Sequence, residues 1–172
     1  MIPIDMAREH DTGSIPSGGP GRNPPASVAP GRWTVFYDAD CGFCRTSLAS
    51  LLVLDREHQL APVAIQTPAA DAVLADLSAE ERMRSWHLIA PDGRRFSAGA
   101  AAAPLLRLLP GGAVPAALLR SAPTLTERTY RWVADHRSAL SQAIPNRLKA
   151  YATALIERRG DTTAGSVSWR AR

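Results

Sequence analysis

Alternating apolar and polar positions divide the middle of the chain into strands and helices. The segment "WTVFY", Trp33–Tyr37, is rich in β-branched and aromatic residues, which predicts a strand. Leu48, Leu51 and Leu52 then recur at helical spacing and are followed by the polar "DREHQ". "LAPVAIQ" predicts a second strand, with Pro62 at its beginning or on a sheet edge. The pattern therefore opens as strand, helix, strand.

Capping and turn residues continue this series. Thr67 followed by Pro68 predicts the start of a short helix to Leu77. Ser78 and Glu81 have the S-x-x-E spacing of a capping box, which predicts a further helical turn. "SWHLIA", "PDG" and "RRFSA" predict a β-hairpin, because Pro-Asp-Gly supplies both the fixed φ and the positive φ that a tight turn needs.

The C-terminal part of the chain predicts helices only. An alanine- and leucine-rich segment follows Gly99 and ends at "PGG", and a short piece lies around Leu118. Thr124 and Glu127 have the spacing of a second capping box. The helix after it has an apolar side at helical spacing, made of Leu125, Thr129, Trp132, Val133, His136 and Leu140. Pro145 opens a final helix whose apolar residues are Leu148, Tyr151, Ala152, Leu155 and Ile156.

This order of elements is typical of a mixed α/β sheet. A strand–helix–strand opening predicts a parallel pair with a right-handed crossover, and the hairpin adds antiparallel strands to the same sheet. The arrangement is the thioredoxin-like plan, a mixed sheet flanked by helices, here with extra C-terminal helices. It places an active site at the carboxyl end of the first strand. We expect residues 32–159 to form this domain.

The two ends of the chain have a different composition. Residues 1–31 are rich in Gly, Pro and Ser and lack hydrophobic periodicity. Such a segment cannot bury enough apolar surface to offset its ordering entropy, so we expect a disordered leader. Residues 160–172 are similar, and we expect a flexible tail there.

Composition narrows the classes of protein that fit. Of 172 residues, 45% are hydrophobic and 21% charged, as in a soluble globular protein. The net charge of +4 comes almost entirely from scattered arginines, because Lys149 is the single lysine, and we expect no nucleic-acid partner. No apolar run approaches the ~18 residues of a membrane span. Because the N-terminus has no secretory pattern, we expect a cytoplasmic protein without a membrane partner.

Both cysteines stand in the motif C-G-F-C, just after the first strand. In the cytoplasm two cysteines at this spacing favour redox or metal chemistry over a structural disulfide. The free N–H groups and the dipole of the following helix stabilise a thiolate on Cys41. We expect Cys41 to attack a substrate disulfide and the more buried Cys44 to resolve the mixed disulfide. Asp40 either caps the helix or relays a proton, and Arg45 could offset its charge.

The residues around the motif resemble a known family. "YDADCGFC" after an apolar strand is similar to the DCC family of thiol-disulfide oxidoreductases, named for an Asp directly before C-x-x-C. Asp40, Cys41 and Cys44 stand at those positions. "GRRFSAGAAAAPLLRLLPGG" and "TYRWVADHR" look like later segments of that family. The resemblance implies a thioredoxin-like fold and dithiol redox activity.

Four residues are expected to contact the substrate. Gly42 and Phe43 lie between the cysteines, and Ser85 and Trp86 precede the third strand. Ordinary thioredoxins have a cis-proline facing the dithiol before the corresponding strand, and Ser85 aligns with that place. We predict an oxidoreductase with no organic cofactor and no metal. Its partners would be a disulfide-containing protein or small thiol and a reducing thiol system.

Three alternative functions fit parts of the same stretch. "TVFYDAD" matches a haloacid-dehalogenase phosphatase, with Asp38 as nucleophile, Asp40 as acid/base and Mg²⁺ bound. That chemistry needs a later lysine and a late acidic pair, whereas the one lysine lies in the last helix. A zinc site would need two ligands besides the cysteines, from His10, His58, His87 and His136. The third alternative is a non-catalytic thioredoxin-like interaction module.

Histidines and aromatic residues outside the motif have structural interpretations. We expect His58 to be solvated and His87 to lie in the core or at the surface, with a position facing the dithiol as the alternative. His136 falls on the apolar side of its helix, which predicts burial. Packing roles are expected for Tyr130, Trp132 and Tyr151.

Overall fold

The computed structural model describes residues 31–165, with side-chain environments up to residue 160. The predicted leader, apart from Gly31, lies outside the described residues. The strands are β1 (Trp33–Tyr37), β2 (Leu60–Ala64), β3 (His87–Ile89) and β4 (Arg95–Ser97). The helices are α1 (Gly42–Leu54), α2 (Pro68–Val73), α3 (Ala79–Arg84), α4 (Ala102–Arg107), α5 (Ala113–Ser121), α6 (Pro123–Asp135), α7 (Arg137–Ala143) and α8 (Asn146–Gly165). A 3₁₀ turn over Ala98–Ala101 precedes α4.

The four strands form one mixed sheet in the order β2-β1-β3-β4. β1 pairs with β2 in parallel and with β3 in antiparallel orientation, and β3 and β4 form the antiparallel hairpin. Pro62 lies on the edge strand β2, where a residue without an N–H is tolerated. The thioredoxin-like α/β fold predicted from the element order is confirmed.

Alternate side chains of β1 enter two separate cores, because successive residues of a strand point to opposite faces. Val35 and Tyr37 pack on one face with Leu48 and Leu52 of α1. Phe36 packs on the other face with residues of α2 and β3. The central strand is therefore fixed from both sides, and the residues that follow it start from a rigid support.

Local turn signals account for the hairpin and for α3. Gly93 has a φ of +84° and donates its N–H to Ala90 O at 2.9 Å, as the Pro-Asp-Gly turn requires. At α3, the Ser78 hydroxyl accepts from Glu81 N and the Glu81 carboxylate accepts from Ser78 N, so the capping box is complete. α2 begins as predicted after Thr67 but ends at Val73, before Leu77.

The second predicted capping box, at Thr124 and Glu127, is wrong. Helix α6 begins two residues earlier than this box predicts, at Pro123, with Ala122 at the N-cap and no side-chain cap. The Glu127 carboxylate instead accepts the N–H of Gly99 at 3.0 Å, across the domain. A Cβ at Gly99 would come within 2.9 Å of Glu127 Cα, so only glycine allows this approach. A long-range partner has replaced the local one.

The predicted burial of His136 is also wrong, because this residue is exposed. α6 ends at His136, and its imidazole Nδ1 donates to Trp132 O at 2.7 Å while the two rings stack 4.5 Å apart. Trp132 is 57% exposed and Tyr151 is exposed too, whereas the Tyr130 hydroxyl is engaged inside the fold. This side-chain bond to the backbone stands at the point where α6 ends and α7 begins.

Helix α8 continues to Gly165, so the first residues of the predicted flexible tail are helical. The rest of that tail lies outside the described residues. Ala152 and Ile156 are buried, and Arg159 donates to Leu52 O at 2.8 Å and lies 3.4 Å from Asp55 Oδ2. α8 therefore packs along α1 and belongs to the folded domain.

Candidate active site

The cysteine pair lies where β1 passes into α1. Cys41 is the N-cap residue of α1, with an extended backbone (φ −85°, ψ 109°), and its Sγ accepts the Cys44 N–H at 3.2 Å. Cys41 is half-buried, while Cys44, one turn further along, is only 6% exposed. Both are free thiols in this structure. Sulfur thus takes the place that a serine or aspartate oxygen has at most helix N-termini.

The surroundings separate the acidities of the two thiols. The pKa of Cys41 falls to about 6, mainly because the Cys44 side chain donates a hydrogen bond to its sulfur, with further help from the Cys44 backbone N–H. Burial and the negative charge of Asp38 oppose this shift, and Arg137 supports it. The pKa of Cys44 is strongly raised by the same hydrogen bond and by burial. At neutral pH Cys41 is therefore a thiolate and Cys44 a protonated thiol.

A buried carboxylate stands next to the pair. Asp38 follows β1 directly and is 7% exposed. Its Oδ1 accepts from Asp40 N at 3.0 Å and from Gln66 Nε2 at 2.9 Å, and its Oδ2 lies 3.9 Å from an Arg137 nitrogen. These donors compensate a charge that burial would otherwise penalise. Asp38 and Arg137 thus form a weak charged pair beside the dithiol.

Asp40 does not cap the helix. Its side chain is exposed, and its carboxylate accepts only a 3.3 Å contact from Gln66 Nε2. The predicted cap is wrong because Cys41 itself occupies the N-cap position. Arg45 makes no ion pair with Asp40 among the described residues. Burial raises the pKa of Tyr37, and the nearby charge of Arg45 opposes this shift.

A cavity of about 210 Å³ borders the buried cysteine. We call it the Cys44 cavity; its main walls are Phe43, Cys44, Trp86, Tyr130, Val133 and Arg137. The predicted contact residues Phe43, Ser85 and Trp86 all line it. The Tyr130 hydroxyl accepts the Trp86 N–H at 2.9 Å and fixes the approach of α6 to β3.

Gly42 has a different environment from the other predicted contact residues. A Cβ at this position would come within 2.7 Å of Ser141 Oγ and 3.1 Å of Lys149 Cδ. Gly42 is therefore buried beneath α7 and α8, and it does not line the Cys44 cavity. The close approach of the two C-terminal helices, and not a place in the cavity, accounts for glycine here.

Sequence reasoning did not assign Gln66, Tyr130 or Arg137 to the site. Gln66 follows β2, and polar residues after neighbouring parallel strands meet at one sheet edge. The position of Gln66 after a strand was therefore a sequence signal for its place at the site. Tyr130 was expected only to pack. Arg137 reaches the site because α6 ends at His136, and no local pattern indicates that turn.

The metal-site and phosphatase alternatives can be compared with this geometry. Among the described residues, no three His, Cys, Asp or Glu side chains form a group that could hold a metal ion. His87 is buried, with its ring nitrogens 2.7 Å from Ser97 Oγ and 3.2 Å from Arg82 O. His58 is exposed, as predicted. Lys149 packs over Gly42, so the single lysine is nearer to the D-x-D stretch than its place in the last helix indicated.

Comparison with known protein families found one matching family. Residues 35–143, more than half of the chain, match the DCC1-like thiol-disulfide oxidoreductase family. The chain belongs to this family. The match includes the C-x-x-C pair and all the walls of the Cys44 cavity. Comparisons with curated proteins and with solved structures found no match.

The DCC1-like match and the cysteine geometry agree on thiol-disulfide chemistry. The family's name describes an oxidoreductase, and this chain has its two cysteines at disulfide-forming spacing beside a helix N-terminus. Within the described part of this DCC1-like chain, no helix is both long and apolar enough to cross a bilayer.

Substitutions at two charged residues near Cys41 should shift its pKa in opposite directions. We expect Asp38→Asn to lower the pKa of Cys41, since a negative charge near the sulfur disappears, and Arg137→Gln to raise it. Asparagine still accepts hydrogen bonds from Asp40 N and Gln66 Nε2. The measurement is the pH dependence of Cys41 alkylation by iodoacetamide, which in the wild type should reach half its maximum near pH 6.

A wild-type midpoint near that of an ordinary thiol, about 8.5, would contradict the thiolate assignment. Two variants that shift in the same direction would show that the two charges do not act on the sulfur as described. Arg128→Gln serves as the control, because Arg128 is an exposed arginine of α6 that does not line the Cys44 cavity.

Proposed function

We propose that this protein reduces disulfides through Cys41 as the nucleophile and Cys44 as the resolving thiol. The observation that carries the proposal is the Cys41 sulfur at the N-terminus of α1, where it accepts the Cys44 N–H at 3.2 Å. The thiolate is the form of cysteine that attacks a disulfide. The Cys41 thiol has a pKa of about 6, so Cys41 is a thiolate at neutral pH.

The exchange takes place in two steps. The Cys41 thiolate attacks one substrate sulfur, the substrate S–S bond breaks, and the leaving thiolate takes up a proton. Cys44 then loses its proton and attacks Cys41 Sγ, which releases the second substrate thiol and forms the Cys41–Cys44 disulfide. Two electrons pass from protein to substrate. A cytoplasmic thiol system reverses the change in the protein, and no organic cofactor takes part.

The proton-relay role considered for Asp40 belongs, in this proposal, to Asp38. Cys44 is buried with a raised pKa, so the second step needs a proton acceptor. Asp38 is buried and lines the Cys44 cavity together with Cys44, whereas Asp40 is exposed. The proposal predicts that Asp38→Asn slows the resolving step even though it increases the thiolate fraction of Cys41.

A redox titration tests the proposal. The protein is equilibrated with dithiothreitol buffers of different ratio, the thiols are trapped by alkylation, and the two forms are separated by mass. We expect a reversible two-electron couple, together with catalysed reduction of hydroxyethyl disulfide by dithiothreitol. If Cys41 and Cys44 form no reversible disulfide, the non-catalytic interaction module is the better interpretation.

A further inference from the structure

The size of the Cys44 cavity limits what can enter it. Its volume of about 210 Å³ is below the roughly 300–1,000 Å³ of sites for drug-sized ligands. One bulky side chain fits this space. Its lining is mainly apolar and includes Phe43, Met83, Trp86 and Val133. The cavity therefore favours a single large apolar group.

The cavity borders one cysteine of the dithiol. Cys44 forms part of its wall, and the Cys44 N–H is 3.2 Å from Cys41 Sγ. Phe43, between the two cysteines, forms another part. A side chain in the cavity would therefore belong to a residue close to the cysteine whose sulfur meets Cys41.

Two arginines and one carboxylate line the cavity. Arg84 and Arg137 both line it, and the Arg84 side chain is 74% exposed, paired at 3.2 Å with an equally exposed Glu80. Arg137 donates to Met83 O at 2.9 Å and keeps about a third of its side chain exposed. The opposing carboxylate in the lining, Asp38, is buried. Complementarity favours an acidic residue of the partner on this side.

We propose that the preferred substrate is a protein disulfide with a bulky apolar residue next to its cysteine and an acidic residue beyond it. This inference rests on the proposed function. The apolar side chain fills the Cys44 cavity, the acidic residue meets Arg84 and Arg137, and the substrate sulfur is held against Cys41. The cavity thereby selects among disulfides that the dithiol alone would treat alike.

Peptide disulfides test this selection. Three short peptides carry Phe-Asp, Ala-Asp or Phe-Lys after a single cysteine, each in a mixed disulfide with the same small thiol. The rate constant of reduction by the reduced wild-type protein is measured by stopped flow. We expect the Ala-Asp peptide to react at least about tenfold more slowly than the Phe-Asp peptide, and the Phe-Lys peptide several-fold more slowly. Hydroxyethyl disulfide serves as a substrate with neither feature.

A variant whose cavity is filled by a larger side chain tests the same selection. Ala134 lines the cavity, and Ala134→Leu should reduce the Phe-to-Ala rate ratio toward one. Thr129→Leu adds a leucine to the same helix at an exposed position outside the cavity, so it should keep the wild-type ratio.

Equal rates for the Phe-Asp and Ala-Asp peptides would overturn the inference, as would a Phe-Lys peptide as fast as Phe-Asp. Either result combined with normal reduction of hydroxyethyl disulfide leaves the proposed function intact. Absence of reduction for every substrate, including hydroxyethyl disulfide, would instead refute the proposed function.

Discussion

Reduction of a disulfide by the Cys41→Ser variant should fall at least about 10³-fold, close to the uncatalysed rate. Loss of a nucleophile that acts together with its neighbours commonly costs this much or more. A serine hydroxyl at the N-cap still accepts the Cys44 N–H, so α1 should begin normally. The variant should therefore lose its activity and keep its fold. The measurement is hydroxyethyl disulfide reduction under excess dithiothreitol.

The matched variant Cys44→Ser should fail in a different way. Cys41 remains to attack, but the mixed disulfide has no resolving thiol and should accumulate. Intact-mass analysis after mixing with a peptide disulfide should find one substrate half attached to Cys41. A Cys41→Ser variant that still reduces disulfides, or a Cys44→Ser variant that traps nothing, would contradict the assigned roles.

The second large effect concerns stability. Arg159→Met should lower the free energy of unfolding by about 3 kcal/mol, because it removes the guanidinium that bonds a buried carboxylate and leaves Arg32 as the nearby positive charge. Asp55 is 0% exposed and accepts from Gln59 N and Leu60 N, both at 3.0 Å. Arg159 lies 3.4 Å from the same carboxylate and donates to Leu52 O and Asp55 O. One guanidinium thus serves both a buried charge and the end of α1.

Chemical denaturation of the full chain measures this effect. Arg147→Met is the control, because Arg147 is an exposed arginine of the same helix and its replacement should change stability by less than about 0.5 kcal/mol. Similar small losses for Arg159→Met and Arg147→Met would contradict the role given to this pair.

Features that depend on neighbouring residues could be predicted from the sequence. The Pro-Asp-Gly hairpin and the Ser78–Glu81 capping box form because their partners lie within a few residues. The strand before the cysteines and the helix after them follow in the same way. Together they were sufficient to place the dithiol at the carboxyl end of β1.

Features that depend on a distant partner, or on a local contact outside the common capping patterns, could not be predicted. Glu127 satisfies a local capping pattern, yet Gly99 N provides a tertiary partner and α6 begins without that cap. Asp40 precedes the helix, but a cysteine sulfur is already at the N-cap. Arg137 lies 3.9 Å from Asp38 as the first residue of α7, just after the His136 side chain bonds Trp132 O. The Glu127 partner is far away in sequence, whereas the Cys41 and His136 contacts are local but match no common capping pattern.

The packing of α7 and α8 over Gly42 affects how the protein is made. Synthesis proceeds from the N-terminus at roughly 5–20 residues per second. α8 begins about 100 residues after the cysteines, so the ribosome presents both thiols several seconds before it makes the helix that covers the start of α1. During that interval Cys41 lacks its finished surroundings. An oxidant or a chaperone that acts on the nascent chain would therefore encounter a dithiol whose reactivity differs from that in the folded protein.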